Sequence, residues 1–471
     1  MKKQRVLLTG PTGTMGRATL DELIKRGQFE IVVFSLATKK DKKILSKYNN
    51  ITIIYGDLRN YQEVLIAIKD IDIILHTAAL VSPLADKYPK LAYEINFNGT
   101  KNIVEAIIEN NQQNITKLVY IGTVAETGNR PIPIHWGRIG DPINPSICDY
   151  YALSKIAAER YVIESDIKYW VSLRQTGILY KNILNINDGI EYHQPLNNHL
   201  EWVSVKDSAN LLVNICNPDI TNEVWNNCFN VGGGETFRLT AYQFMASMFN
   251  LVDVDIKDIY EPKMFALKNF HGQFYLDSDK LEQLVPFRTQ SFNEVLQHLK
   301  DHLPVKMRLM KYLPKNLIKK QMIKNALNNP NTPLYWIKNN DKAMIKAFLY
   351  SKEIYDKISD WNHFQISETT DYVKLNHGYD ETKLDSQLTI EDIKQAAIFR
   401  GGVCLSKTMN KGDLKTKLKW KCSEGHEFLA SPYLVLKAGH WCQQCLHEQD
   451  NYKKQAESNK FLAQVLCIEH K

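Results

Sequence analysis

Tyr151 and Lys155 carry the side chains in this sequence best suited to proton transfer. They stand four residues apart in a stretch of helical pattern, so both side chains lie on one face of a helix. An ammonium group beside a phenol lowers the phenol's pKa from about 10 towards neutrality, and such a phenol can exchange a proton with a substrate oxygen. Tyr150 is five residues from Lys155 and is expected to point away. Thr123 adds a hydroxyl group that can orient the same oxygen.

A glycine-rich loop near residue 10 has the pattern of a nucleotide-binding loop. The apolar run 6–9 leads into Gly10, Gly13 and Gly16, and a helical pattern follows at 18–25. Glycines at this spacing allow a tight turn and bring the backbone close to a pyrophosphate at the helix N-terminus. The sequence therefore predicts a dinucleotide site. Proton exchange by the phenol would then accompany hydride transfer to or from C4 of a nicotinamide.

The residues that follow the second predicted strand, at 31–34, bear on whether the dinucleotide is NAD or NADP. No Asp or Glu stands where the 2′-hydroxyl of the adenosine ribose is usually bound, whereas Ser35, Lys39 and Lys40 could contact a 2′-phosphate. These residues favour NADP. NAD stays the alternative, because a run of solvated lysines explains the pattern as well.

Together these motifs resemble the extended short-chain dehydrogenase/reductases, the superfamily of the NAD-dependent epimerases and dehydratases, over residues 1–300. The matching segments are 9–16, 56–58, 76–79, 96–100, 122–123 and 151–155. The resemblance implies that Thr123, Tyr151 and Lys155 are catalytic, that Asp57 and Leu58 hold the adenine, and that Ala78 lines the nicotinamide side. The complete predicted cofactor site consists of Gly10, Thr12, Gly13, Thr14, Met15, Gly16, Ser35, Lys39, Asp57, Leu58, Ala78, Ala79, Asn96, Lys155 and Thr176.

Two departures from the family narrow the predicted reaction. Val124 and Ala125 stand where sugar-nucleotide dehydratases usually carry an Asp-Glu pair, and residues 173–179 lack the Asn of the corresponding epimerase segment. We therefore predict an NAD(P)-dependent oxidoreductase, of carbonyl reductase or alcohol dehydrogenase type, acting on a small molecule that is not a nucleotide. Two alternatives stay open. One is a sugar-nucleotide epimerase-type isomerase that retains its cofactor, and the other is a cofactor-sensing regulator that binds nucleic acid.

The loop between the catalytic residues is predicted to contact the substrate. Residues 126–149 exceed the usual length of a loop without secondary structure, which favours a functional role. The candidate substrate residues are His135, Trp136, His193 and Trp202. Each histidine taken alone is better explained as a hydrogen-bonding surface or loop residue than as a catalytic one, and the tryptophans suit a planar or apolar molecule.

Near the carboxyl terminus, four residues have the spacing of a zinc site: Cys422, His426, Cys442 and Cys445. Two ligand pairs separated by a loop can converge tetrahedrally on Zn²⁺, and four protein ligands make such a site structural rather than catalytic. The segment 398–447 resembles small zinc-ribbon or treble-clef modules. The lesser alternatives as ligands are Cys404, His440 and Cys467.

The order of elements predicts how these residues are positioned. Short apolar runs alternate with helix-length stretches over the first 240 residues, which predicts an α/β fold with a Rossmann-type, doubly wound parallel sheet. The predicted parts are the α/β domain with a small substrate lobe at 1–300, a basic helical extension at 301–361, a linker at 362–388, the zinc-binding module at 389–447 and a carboxyl-terminal tail at 448–471.

Composition and charge limit the classes of protein that remain. The 471 residues are 44% hydrophobic and 24% charged, which excludes a disordered or fibrous chain. The net charge of +7 equals the excess of basic over acidic residues in the segment 301–345 alone. This segment is predicted to form basic amphipathic helices, and we expect their apolar face to pack on the lobe rather than on a membrane surface. No apolar run suits a membrane helix or a signal peptide, and the cysteine spacing suits reduced thiols, so we expect a cytoplasmic protein.

The expected partner is a small-molecule substrate. Assembly of two copies into a homodimer is left open by the sequence. Contact of the carboxyl-terminal tail with nucleic acid or an acidic partner is left open as well, because lysines alternate with other residues at 415–421. A solvated strand edge explains those lysines equally well. Since the catalytic residues all precede residue 156, we expect a chain that ends near residue 375 to retain cofactor binding.

Overall fold

The computed structural model of the protein describes residues 3–181, 189–358, 360–366 and 371–466, with the side chain of residue 306 left out. Its strands are β1 Arg5–Thr9, β2 Glu30–Ser35, β3 Thr52–Tyr55, β4 Ile73–His76, β5 Lys117–Thr123, β6 Trp136–Gly137, β7 Tyr169–Gln175, β8 Ile178–Leu179, β9 His199–Glu201, β10 Val203–Ser204, β11 Asn227–Val231, β12 Arg238–Thr240, β13 Phe274–Tyr275, β14 Val403–Cys404, β15 Leu418–Lys421 and β16 Glu427–Ala430.

The helices of the described part are α1 Thr14–Arg26, α2 Lys39–Leu45, α3 Tyr61–Ile68, α4 Leu84–Lys87, α5 Pro89–Ala92, α6 Gly99–Glu109, α7 Tyr150–Ile163, α8 Val205–Ile215, α9 Ala241–Asn250, α10 Ser278–Leu284, α11 Phe292–Asp301, α12 Val305–Arg308, α13 Lys315–Asn328, α14 Pro333–Lys338, α15 Lys342–Leu349, α16 Lys352–Asp356, α17 Ile390–Phe399, α18 Gln443–His447, α19 Tyr452–Ser458 and α20 Lys460–Leu466. A π-helix, Tyr93–Asn98, joins α5 to α6. Within the described residues, none of the helices combines the length and the apolar character needed to span a membrane.

The central sheet has seven parallel strands in the order β11-β7-β5-β4-β1-β2-β3. Val, Ile and Leu dominate its inner strands, because helices cover both faces and leave no face in water. The strand order reverses between β1 and β4, which is where doubly wound sheets bind ligands. The predicted Rossmann-type α/β fold is confirmed.

Two apolar layers hold the sheet between its helices. On one face, Leu20 of α1 and Leu211 of α8 pack against the strands. On the other face, α3, α6 and α7 contribute Val64, Ile103 and Ala158. Helix α7 therefore has its position fixed by burial along most of its length.

The basic extension packs on the substrate lobe. Ile318 and Met322 of α13 contact the cluster that contains Phe244 and Tyr260 of the lobe. Three lysines of the extension form ion pairs with acidic residues of the lobe: Lys311 with Asp253, Lys315 with Asp258 and Lys319 with Glu261. The expected packing of this apolar face is therefore confirmed, and part of its positive charge is neutralised within the chain.

The carboxyl-terminal module lies on the same face of the sheet as α7. Ile393 of α17, Trp420 of β15 and Val435 belong to one apolar cluster with Trp170 of β7 and Cys228 of β11. The backbone amide of Cys228 also donates a hydrogen bond to the phenol oxygen of Tyr433, at 2.9 Å. The module and the sheet therefore share one core, and cofactor binding by a chain that ends near residue 375 stays a prediction.

The predicted linker is also fixed on the α/β domain wherever it is described; residues 367–370 lie outside the described part. Val373 donates its amide to the carbonyl of Pro133 at 2.8 Å, and His377 contacts Asp141 at 2.9 Å. Arg138 Nη2 donates to Glu381 at 2.8 Å. The segment therefore ties the long loop between the catalytic residues to the module, and the predicted tail follows as α19 and α20.

Trp420 gives a direct test of the shared core. It is fully buried, and its indole N–H donates to the carbonyl of Ala430 at 2.9 Å. Trp420→Ala should lower the free energy of unfolding by about 3 to 5 kcal/mol. The module and the α/β domain should still unfold together in a single transition. Denaturant titration followed by circular dichroism and by cofactor binding would measure this loss. The control Ile398→Ala, at a side chain that is 67% exposed, should change little. Early loss of the module beside an unshifted transition of the α/β domain would contradict the shared core.

Candidate active site and metal centre

The glycine loop joins β1 to α1 in the way a dinucleotide site requires. Gly10 has φ +64°, and a Cβ there would lie 2.8 Å from the Cα of Ala78. A Cβ on Gly16 would lie 2.1 Å from the carbonyl oxygen of Gly10, so α1 packs directly on the turn. Gly13 precedes α1, whose first turn contains no acidic residue. The positive end of the helix dipole therefore faces the loop without a carboxylate in the helix's own first turn.

Buried hydroxyl groups fix the floor of this loop. Thr9 Oγ1 accepts the amide of Ala78 at 3.2 Å and contacts His76 Nδ1 at 2.9 Å. His76 Nε2 lies 3.0 Å from Thr100 Oγ1. Burial lowers the pKa of His76 to about 3, so the ring is neutral and serves as a structural bridge between β1, β4 and α6.

The structure places an acidic residue, Asp41, beside the glycine loop. Its carboxylate accepts hydrogen bonds from Thr12 at 2.7 Å and from Thr38 at 2.5 Å, so both oxygens are engaged. Ser35 is buried at the end of β2, and Lys39 is exposed at the start of α2. Sequence reasoning missed Asp41 because it considered only the strand end. The pattern in the sequence that indicates Asp41 is a Thr that caps a helix, followed by an Asp in the first turn.

Residues predicted to hold the adenine side have defined partners. The Asp57 carboxylate pairs with Arg59 at 2.6 Å, and the hydrogen bond from that guanidinium keeps the pKa of Asp57 below its ordinary value. Leu58 packs against Gly99, where a Cβ would lie 3.0 Å from the Leu58 side chain. Asn96 is buried and links two elements rather than facing the loop, because its amide bonds Leu80 and the Ser154 hydroxyl.

Helix α7 positions the proposed proton donor. Asp149 caps the helix by accepting the amide of Ala152 at 2.8 Å, and Asp86 accepts the amides of Tyr150 and Tyr151. Tyr150 is 40% exposed, whereas Tyr151 is half-buried and packs beside Ala125. The expectation that Tyr150 points away agrees with this difference in burial.

Burial sets the acid-base properties of the pair in α7. It raises the pKa of the Tyr151 phenol above its ordinary value of 10, and a hydrogen bond with Thr123 opposes the rise. Burial also lowers the pKa of Lys155 to about 8. The Lys155 ammonium lies 4.1 Å from the centre of the Tyr120 ring. The expected lowering of the phenol's pKa is therefore wrong for the protein alone, because burial dominates at Tyr151.

Glu126 is a buried residue near the site that sequence reasoning missed. It follows Val124 and Ala125, both of which are buried and apolar. Its carboxyl group accepts the backbone amide of Thr123 at 3.1 Å and lies 3.1 Å from Arg174 Nε. The signal in the sequence was a capping pattern, with a Thr followed three residues later by a Glu.

The predicted substrate residues occupy different surroundings. His135 and Trp136 lie together, with the His135 ring 4.4 Å from that of His199. Trp202 stacks on Phe244 at 4.0 Å in the lobe. His193 packs away from the glycine loop, with Nε2 2.8 Å from a carbonyl of the extension. Their contact with substrate stays a prediction.

The four predicted metal ligands converge in the module. Cys422 and His426 flank the turn between β15 and β16, and Cys442 and Cys445 lie at the start of α18. All four ligand atoms lie within 4.8 Å of one another. The Cys422 and Cys445 sulfurs are 3.7 Å apart, and His426 Nδ1 lies 3.4 Å from the Cys445 sulfur. Ligands at about 2.0 to 2.3 Å from one tetrahedral ion would show similar separations.

The lesser ligand candidates have other surroundings. Cys404 is half-buried in β14, and its thiol lies 3.9 Å from the carbonyl of Ser406. His440 contacts a buried glutamate of α7. Cys467 lies outside the described residues. The lysines of β15 alternate with buried Leu418 and Trp420, as expected, but this strand lies between β14 and β16 rather than at an edge.

Comparison with protein families matches residues 7–180 to the 3-beta hydroxysteroid dehydrogenase/isomerase family. Among curated proteins, a UDP-glucose 4-epimerase of Rickettsia typhi is 33% identical over 125 residues, which cover 25% of this chain and 36% of the relative. A 3-beta-hydroxysteroid dehydrogenase of Mycolicibacterium neoaurum is 28% identical over 187 residues, covering 37% of this chain and 47% of the relative. The chain thus spans less than half the length of these relatives.

Solved structures share the fold. The Bordetella bronchiseptica enzyme WbmG in complex with NAD has a TM-score of 0.51 at 17% identity, covering 64% of this chain and 98% of that one. A Bacillus cereus UDP-glucuronic acid 4-epimerase has a TM-score of 0.51 at 15% identity, with coverage of 64% and 98%. With the family match, they confirm the resemblance predicted from the sequence.

Proposed function

We propose that this protein is an NAD(P)-dependent oxidoreductase of the extended short-chain dehydrogenase/reductase type that interconverts an alcohol and a carbonyl group of a small molecule. The match of residues 7–180 to the 3-beta hydroxysteroid dehydrogenase/isomerase family supports this proposal. The observation that carries the proposal is the position of Tyr151 on α7, packed against Ala125 of the turn that follows Thr123, with Lys155 one turn further along the helix. A phenol, a hydroxyl and an ammonium group in this arrangement can bind one oxygen atom and deliver a proton to it.

The residues of the glycine loop fit a dinucleotide, since Gly10 and Gly16 keep the backbone bare and the first turn of α1 contains no acidic side chain. A bound nicotinamide would supply or accept the hydride at C4. Tyr151 donates its proton to the carbonyl oxygen, or accepts one from the hydroxyl in the reverse direction. Thr123 orients that oxygen, and Lys155 holds the cofactor ribose.

NADP is the proposed dinucleotide. Lys39 and the neighbouring Lys40 are exposed at the start of α2, where a 2′-phosphate would lie beyond Ser35. Asp41 is the argument against this choice, because its carboxylate, bonded to Thr12 and Thr38, would repel a 2′-phosphate. NAD remains the alternative.

The Cys/His cluster is proposed to bind one structural Zn²⁺. Three thiols and one imidazole are the donor set that zinc prefers, and four protein ligands leave no position for substrate. The ion would hold the turn between β15 and β16 against α18. Its contribution would be to the folding of the module, at a distance from the hydride transfer.

A second candidate is an isomerase that retains its cofactor, as the similarity to curated epimerases suggests. Among the described residues, several buried polar groups lack a hydrogen-bonding partner: the ring nitrogens of His135, the side-chain amide of Gln273 and the indole N–H of Trp202. Buried polar groups normally have partners, so these favour a substrate with several hydrogen-bonding groups. Such an isomerase would keep the dinucleotide through purification and show no net cofactor turnover.

Tyr151→Phe tests the catalytic assignment. Loss of the transferable proton should reduce turnover by at least about 10²-fold and leave cofactor affinity nearly unchanged. Turnover can be followed by absorbance at 340 nm with a ketosteroid and an aliphatic aldehyde, and by interconversion of UDP-glucose and UDP-galactose. Tyr150→Phe is the matched control and should behave as wild type. Near-normal turnover by Tyr151→Phe would refute the assignment.

Lys39→Glu tests the proposed dinucleotide. The wild type should bind NADPH more tightly than NADH, and reversal of this charge should weaken NADPH binding at least about tenfold with little effect on NADH. Calorimetry measures both affinities. Lys43→Glu makes the same change at an exposed position later in α2 and serves as control. A wild-type preference for NADH would show that the lysines are only solvated.

Elemental analysis tests the metal site and should give about one zinc per chain. Cys442→Ser should lose the ion and increase cleavage of the module by protease, because the turn and α18 are no longer held together. Cys404→Ser should retain the ion. Zinc that survives in Cys442→Ser, or an unchanged cleavage pattern, would contradict a structural site at these ligands.

A further inference from the structure

A continuous chain of buried polar groups connects Thr123 to the carboxyl-terminal module. It runs from the backbone amide of Thr123 through Glu126, Arg174 and Glu159 to His440. The side chains of these four residues are at most 3% exposed. None of them was placed in the site by the sequence, and none belongs to the proton relay described above.

Glu126 forms the end of the chain nearest the reaction. Thr123 and Glu126 form a capping box at the start of a short 3-10 helix, Val124–Thr127. The Thr123 hydroxyl accepts a backbone amide of the helix's first turn, and the Glu126 carboxyl group accepts the backbone amide of Thr123. The backbone at Thr123 is therefore held by the carboxyl group of Glu126. A Cβ on Gly122 would lie 3.1 Å from that carboxyl oxygen and 3.2 Å from Arg174, so the chain packs directly against the end of β5.

Arg174 and Glu159 form the middle of the chain. Arg174 Nη2 donates to Glu159 at 2.7 Å, and Ser172 donates to the other oxygen of Glu159 at 2.6 Å. Although burial raises it, Arg174 and His440 hold the pKa of Glu159 well below its ordinary range. Burial and the nearby Glu159 charge raise the pKa of Glu126 well above its ordinary range.

The module completes the chain. His440 Nε2 lies 2.9 Å from Glu159, and the carbonyl of Ala438 accepts a hydrogen bond from Arg174 at 2.8 Å. Gly439, between them, has φ +79°, and a Cβ there would lie 2.1 Å from the carbonyl oxygen of Asp141. Only glycine allows this close approach, which carries His440 to Glu159. The module thus supplies two of the partners that the buried charges require.

We propose that His440 is a positioning residue for Thr123, acting through Glu159, Arg174 and Glu126, so that the carboxyl-terminal module is part of the active-site scaffold. This inference rests on the proposed function for the role of Thr123 in catalysis. The contacts themselves, an ion-pair contact between Glu126 and Arg174 and hydrogen bonds at the other links, stand on the fold alone. The module thereby gains a role beyond its own stability, because it fixes the hydroxyl group that orients the reacting oxygen.

Amide hydrogen exchange in the full-length protein tests the chain without any substrate. His440→Leu removes the donor to Glu159, so exchange in peptides covering 118–127 should accelerate at least about tenfold. His440→Gln keeps an N–H that can reach Glu159 and should restore most of the protection. Ser431→Ala is the matched control, because Ser431 also bonds the α/β domain, through Glu164 at 2.6 Å, but does not contact the chain. An unchanged rate in His440→Leu, or an equal rise in Ser431→Ala, would overturn the proposal.

Two substitutions of Glu126 separate positioning from catalysis. Glu126→Gln retains an acceptor for the Thr123 amide and a donor towards Glu159, and it should keep protection at 118–127 and most of the turnover. Glu126→Ala should lose both, with kcat reduced at least about tenfold and KM nearly unchanged, in the assays used for Tyr151→Phe. Loss of turnover in Glu126→Gln with intact protection would make Glu126 a proton donor and overturn the proposal. If the wild type turned over none of those probes, the proposed function would fail for them, while the exchange rates would still decide the positioning chain.

Discussion

The structure depends on how one buried positive charge is neutralised. Arg174 is 1% exposed at the end of β7, and a guanidinium group in that environment requires charged and polar partners. Those partners come from the turn after β5, from α7 and from the carboxyl-terminal module. Removing one partner from such a group usually costs about 3 to 5 kcal/mol. A single charge therefore links Thr123, α7 and a segment more than 260 residues further along the chain.

The sequence predicts those features that depend on residues close together in the chain. The glycine loop between β1 and α1 is one, because a strand, a turn and a helix lie within 22 residues. The common face of Tyr151 and Lys155 is another, because it follows from one turn of helix. The Cys/His cluster is predicted for the same reason, since each ligand pair is local and a metal geometry joins the two pairs.

Features that depend on distant pairing were not predictable in the same way. Arg174 lies in a segment that was considered only for its departure from a family pattern, and its partners are separated from it by 15 to 264 residues. The segment 371–388 has a polar composition typical of a linker, yet its side chains meet Asp141 and Arg138 across the fold. Polar residues at such contacts carry no periodic pattern. The pKa values of Tyr151 and Lys155 were not predictable either. Burial favours the uncharged form of both side chains, and at Tyr151 this effect is larger than the lowering expected from a nearby ammonium group.

The shared core also has a consequence for the order in which the protein can fold during its synthesis. The last strand of the sheet ends at Val231, but the apolar face over β7 and β11 is closed by residues as late as Ala438. About 200 residues separate the two, which corresponds to roughly 10 to 40 s of translation. Throughout that interval the nascent chain carries a complete set of sheet strands with Trp170 and Cys228 uncovered. The α/β domain therefore reaches its native state only after the ribosome has passed Ala438, and a chaperone has that interval in which to bind the open face.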